Sequence, residues 1–216
     1  MYFSYFSNTC SLKCLDVLQL LMTLFNINRA KFEVDELSLE TFHGTTREIA
    51  TIILNEGFKI IPKEVTNDLG NGIYTFCPDD YGCWNPEENA KRYAKQYKRG
   101  KVIVLKVIID TSSQTTYIDL DDPVFMREWS KIREQLEHRA NNIWKKYSTG
   151  SAKRRHNIDG ILLELAIKRN MLSVSNPDFV VKCTYTSFIP KSMSNMPNGR
   201  ELVVRNLEII TDVKEV

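Results

Sequence analysis

Five cysteines in 216 residues, Cys10, Cys14, Cys77, Cys83 and Cys183, are an odd number without framework spacing, and no CxxC pair occurs. A disulfide scaffold is thereby excluded, and reduced thiols in a cytoplasmic setting are the expectation. Cys77, Cys83 and His156 come nearest to a zinc set but lack its paired spacing, so no metal is expected. An excess of one charge is also missing. Twenty-nine Lys and Arg against 27 Asp and Glu leave a formal +2, too little by itself to demand a nucleic-acid partner and too evenly mixed to exclude one. No apolar run is long and clean enough to cross a bilayer. The most apolar stretch, Ser11 to Ile27, is interrupted every three or four positions by Lys13, Asp16, Gln19, Thr23 and Asn26. Lys13 and Asp16 fall where the apolar core of a signal peptide should begin. This stretch reads as a helix with a narrow polar stripe, packed on its own domain or gripped by an inhibitor or chaperone.

What is present is a globular composition, 43% apolar and 26% charged, in a chain long enough to bury a real core. The segment from Phe42 to Phe76 organises it. Thr45 precedes Glu48 at the capping-box interval, and Ile49, Ile52 and Ile53 recur at helical spacing until Gly57 stops them, which predicts a helix over 46–56. His43 then ends a strand just before a helix start, where backbone N–H groups are available to a ligand. Gly44, without a Cβ, lets a planar ligand approach its amide and carbonyl, and Gly70 and Gly72 do the same for a second strand. Tyr74 on that strand offers a ring face and a hydroxyl.

His43-Gly44-Thr45, the Gly57-Phe58 strand entry and Gly70-x-Gly72-Ile73-Tyr74-x-Phe76, in this order and spacing, resemble the NAD-binding half of the ADP-ribosyltransferase fold in its poly(ADP-ribose)-polymerase-like branch. The resemblance implies an α+β fold with a split, mixed or antiparallel sheet. It also implies roles for three residues: His43 on the adenine-side ribose of NAD, the Gly44 backbone on the nicotinamide carboxamide, and Tyr74 stacked on the nicotinamide ring. Thr45 and Gly72 belong to the same NAD-contacting motifs.

Further along, Cys77 to Pro86 is dense in turn-formers, and Glu87 to Lys98 reads as a helix with acidic residues first and basic residues last. Its Ala90-Lys91-Arg92-Tyr93-Ala94 resembles the segment where the family places a second stacking tyrosine, here Tyr93. Ala90 stands where the family often carries a serine. Lys101 to Asp110, apolar on both faces, is the clearest strand, and Asp121-Asp122-Pro123 opens a long helix to about Tyr147. The loop after it carries Lys153-Arg154-Arg155-His156, a solvated charge run or a phosphate-contacting patch. Ile158 to Arg169 is an apolar run of helical length with Asp159 as a possible cap, strand being the alternative, and Phe179 to Tyr185 reads as a strand.

Ser187 to Arg200 is a Pro- and Asn-bearing loop that ends on Gly199-Arg200-Glu201-Leu202-Val203-Val204, a polar opening to a β-branched strand. This resembles the family's last motif, where a glutamate begins a strand after the acceptor-recognition loop, so Glu201 is the expected catalytic carboxylate alongside His43 and Tyr74. Neither Gly199 nor Arg200 provides the second carboxylate of arginine-modifying relatives. Chemically, a carboxylate on the ribose hydroxyl stabilises the positive charge that develops as nicotinamide leaves, more in the transition state than in the ground state.

The expectation is a mono-ADP-ribosyltransferase that uses NAD as substrate, with residues 1–40 an N-terminal helical extension and 41–216 the catalytic domain, interrupted by a helical insertion over about 121–170. Its acceptor would be nucleic acid, such as RNA, or protein. The architecture resembles toxins, effectors or phage-defence enzymes, and an antitoxin on the N-terminal helix is one implied partner. An inactive NAD- or ADP-ribose-binding module and an NAD-dependent RNA 2′-phosphotransferase are the alternatives on the same fold.

Overall fold

The computed structural model describes residues 38–147, 157–189, 192 and 194–216. The Ser11 to Ile27 stretch, the Lys153 to His156 run and parts of the Ser187 to Arg200 loop lie outside them. The strands are β1 (Ser38–Thr46), β2 (Ile73–Cys77), β3 (Val102–Asp110), β4 (Tyr117–Asp119), β5 (Phe179–Thr184), β6 (Gly199–Val204) and β7 (Ile210–Glu215). They form one mixed sheet in the order β4-β5-β6-β2-β1-β3-β7, with only the β4–β5 pair parallel. Four α-helices accompany them, α1 (Arg47–Glu56), α2 (Pro86–Tyr97), α3 (Pro123–Lys146) and α4 (Asp159–Lys168). The fold class is α+β.

Each helix has a local cause. Gly57, at φ 78°, closes α1 with its N–H on the Ile53 carbonyl. The N-cap is Thr46 rather than Thr45, and it makes no side-chain cap bond. No capping box forms: the Glu48 carboxyl accepts from its own backbone N–H and the Thr46 hydroxyl, which hold it below the usual carboxylate range. Asn85 caps α2 by accepting from Glu88 N–H, with Pro86 at the first position. Asp122 and Pro123 do the same for α3. Asp159 is the first residue of α4, after an Ile158 N-cap, and it pairs with Arg133 of α3 at 2.9 Å.

Gly57-Phe58 does not enter a strand: residues 57–63 carry no regular structure. β4 and β7 were not foreseen, because Tyr117–Asp119 is three residues long and Ile210–Glu215 alternates only weakly. β3 lies one strand in from the β7 edge.

The sheet is two half-sheets. β1 and β3 pair along nine residues and β2 and β6 along five, yet β1 and β2 are joined at a single position, Phe42 opposite Phe76. Side-chain alternation sorts the core to two faces. On one, α3 and α4 bury Leu136, Ile161, Leu162, Val180 and Val203 beside β4-β5-β6, while α2 covers Phe42, Phe76 and Val104 through Ala90. On the other, α1 packs Ala50 and Ile53 on Ile103 and Leu105, and Cys77, Phe179, Val181, Leu202 and Val204 form a second cluster. Arg200 is buried on this second face against Asp80 (2.8 Å) and Asp119 (3.1 Å).

Candidate active site

The site is built at the point where the half-sheets part. If the ladder continued past Phe42–Phe76, Gly44 would stand opposite Tyr74. It stops, and His43 fills the gap: its Nδ1 lies 2.8 Å from the Tyr74 carbonyl oxygen. A carbonyl can only accept, so Nδ1 donates. Burial, the main influence, lowers the imidazole pKa below 6.5. The ring is therefore neutral near pH 7 and Nε2 is left as an acceptor. Phe58 meets the ring edge-on at 5.4 Å and packs it from the α1 side.

The backbone of Gly44 faces the same gap. Val104, its partner on β3, accepts from Val216 N–H, so the peptide groups of Val104 point toward β7. In an antiparallel ladder such a residue is half of a non-hydrogen-bonded pair, and Gly44 must turn its N–H and C=O the other way, toward β2. They reach the place where β2 has diverged. The missing Cβ has a different use from the one expected: a Cβ on Gly44 would lie 1.9 Å from the Ala90 carbonyl oxygen, so it is α2, not a ligand, that occupies the side-chain space.

Tyr74 and Glu201 share the α2 face. Tyr74 is opposite Val203 and Glu201 opposite Phe76, which makes Tyr74 and Glu201 diagonal neighbours with Cα atoms roughly 7–8 Å apart. The Tyr74 hydroxyl donates to Gly70 O (2.9 Å) and accepts from Leu69 N–H (3.0 Å). It thus anchors the preceding turn, leaving the half-buried ring rather than the hydroxyl for a ligand. Tyr93 reaches the same face from α2, 6.4 Å from the Phe76 ring. Phe76 is thus a neighbour of both Tyr93 and Glu201.

Gly44, Tyr74, Tyr93 and Glu201 thus share one face of the sheet, with β2 between Gly44 and Glu201, and His43 lies on the other. Thr45 is buried on the His43 face opposite Ile103. Gly72 packs against β6, where a Cβ would sit 2.4 Å from the Val204 carbonyl oxygen. Packing accounts for both.

Sequence reasoning missed the supports of Glu201. Lys182 stands beside it on β5 and binds Asp121 at 2.9 Å, while the buried Thr186 hydroxyl lies 3.5 Å from Glu201 Oε1. Asn198 holds the Thr186 segment by exchanging two side-chain bonds with its backbone, at 2.8 and 2.9 Å. Only the Asn-Gly step before β6 signalled this arrangement. Cys77 and Cys183, flanking Arg200, both have their thiol pKa raised to about 12, chiefly by burial, so these two stay protonated near neutral pH.

No protein-family model matches the chain, and no curated protein is significantly similar to it.

Proposed function

We infer that the protein is an NAD-dependent ADP-ribosyltransferase that cleaves the nicotinamide–ribose bond and transfers ADP-ribose to a macromolecule. The observation that carries this reading is the parting of β1 from β2, which leaves the Gly44 peptide groups turned toward β2 beyond the end of the ladder, beside Tyr74, with Glu201 one strand further along on the same face. A planar carboxamide needs one N–H donor and one C=O acceptor side by side, and Gly44 supplies both. Tyr74 and Tyr93 offer ring faces for nicotinamide, and the neutral His43 offers Nε2 to a ribose hydroxyl.

Glu201 is the electrostatic centre. As the C1′–N bond breaks, nicotinamide leaves with the bonding pair and the ribose becomes cationic. A carboxylate bonded to the adjacent hydroxyl stabilises that state. The acceptor nucleophile then forms the new C1′ bond, and its proton passes to Glu201 or to water. Lys182 stands opposite it on β5, and the Thr186 hydroxyl is its neighbour at 3.5 Å.

The RNA 2′-phosphotransferase alternative needs several cations inside the pocket, whereas Lys91, Arg92 and Lys95 of α2 are exposed. The test is incubation with NAD labelled in the adenosine half and a cell lysate, followed by nuclease or protease digestion. Label that stays attached to macromolecules and disappears in a Glu201→Ala control supports transfer. Absence of attached label and of free nicotinamide overturns the reading.

A further inference from the structure

We propose that the outer side of α2 and the turn after it form a binding track for single-stranded nucleic acid, and that a nucleic-acid strand is the acceptor in the reaction above. The second half rests on the transferase reading; the first does not.

The charge is concentrated and uncompensated. Between Asn89 and Lys101 stand Lys91, Arg92, Lys95, Lys98, Arg99 and Lys101 without one Asp or Glu, in a chain whose total is only +2. All six are exposed. Among the described residues none of the six makes an ion pair, whereas Arg47, Lys59, Lys106, Arg133 and Lys182 each hold a carboxylate. Such a field attracts polyanions.

The track leads to the site. Ala90 and Ala94 are fully buried against the Gly44 strand, so at about 100° per residue Arg92 projects from the opposite side of α2 and Lys91 and Lys95 from the flank beside it. Lys91 and Lys95, one turn apart, are spaced comparably to successive phosphates of an extended strand. Lys98, just past the end of α2, has its ammonium 5.8 Å from the Tyr93 ring centroid and is near enough to His43 for its charge to act on the imidazole.

Ring faces are interleaved with the cations, which favours nucleic acid over an acidic protein. Tyr97 is half exposed, its ring 5.0 Å from that of Tyr93 and its hydroxyl fixed by a 2.7 Å bond to the Ser187 carbonyl. Arg92 stacks 4.3 Å over Phe188, and Tyr81, in the loop before α2, is 88% exposed. Stacking on such faces contributes about 1–3 kcal/mol per base and is tolerant of sequence. A carboxylate side chain cannot make this stack. A single strand is required because a base or sugar inside a duplex does not reach a carboxylate recessed in a sheet.

The test is fluorescence anisotropy of the full chain with labelled single-stranded RNA and DNA of about 16 nucleotides, the upper end of single-module site sizes. The salt concentration is varied, and poly-glutamate serves as competitor. Wild type is expected to bind with a steep salt dependence, log K falling about 0.7 per phosphate neutralised. K91E/K95E is expected to bind at least about 10-fold more weakly with a shallower slope, while its release of nicotinamide to water is unchanged. Failure of wild type to bind either strand, equal binding by K91E/K95E, or poly-glutamate competing as well as RNA would each overturn the track. Strand binding without NAD cleavage removes the transferase reading and leaves the track standing; NAD cleavage without strand binding does the reverse.

Discussion

His43 Nδ1 donates to the carbonyl oxygen of Tyr74 across 2.8 Å, taking the place that a continued ladder would have given to the Gly44 N–H. One side chain thus stands where the pairing of β1 with β2 ends, and the Gly44 peptide groups turn toward β2 beyond that end.

This bond makes a pH prediction. The folded-state pKa of His43 lies below 6.5, mainly through burial. Between that lower value and the unfolded value the unfolded chain binds the proton more readily, so stability falls as pH drops through this window and is unaffected above it. Urea midpoints from about pH 5 to about pH 8 should show a steeper acid-side decline for wild type than for His43→Gln. Parallel curves would remove the buried neutral imidazole from the account.

Gly44→Ala should lower stability by about 1–3 kcal/mol, the usual cost of overpacking, because the new methyl meets a backbone oxygen of α2 that cannot rotate away. Thermal unfolding measures it. An unchanged Tm would mean that α2 does not sit against β1 as described.

Tyr74→Phe separates ring from hydroxyl. Loss of the bonds to Leu69 N–H and Gly70 O should cost about 1–3 kcal/mol, while NAD affinity, which depends on the ring, is retained at temperatures where the protein is folded. Calorimetry of unfolding and of NAD binding reads the two effects apart.

Arg200→Ala leaves Asp119, already pushed upward chiefly by burial, without its main cation. The expected destabilisation is about 3–5 kcal/mol, as for other broken buried pairs, and denaturant unfolding should show it. A change below about 1 kcal/mol would place this pair among surface ion pairs.

Much of the fold was legible where local chemistry decides it. Asn85-Pro86 and Asp122-Pro123 announced α2 and α3, Gly57 ended α1, and the Val102 to Ile109 run, apolar but for Lys106, marked β3. The candidate residues were readable as motifs, but their use was not. Whether Gly44 lends its missing Cβ to a ligand or to Ala90 depends on where a helix 46 residues later comes to rest. The Thr46-for-Thr45 shift at the α1 cap is a one-residue boundary set by the β1–β3 ladder running to Thr46. Thr186 and Lys182 became neighbours of Glu201 only through β5–β6 pairing and the Asn198 staple, which no local pattern encodes.

The most direct measurement is nicotinamide release from NAD by purified wild type and by Glu201→Gln, which keeps the shape of the side chain and removes its charge. Wild type should release nicotinamide, and the variant should be slower by about 10²- to 10³-fold with NAD binding retained. Equal rates, or no release by wild type in the presence of RNA, DNA or protein acceptors, would contradict the assignment of Glu201 and of the reaction.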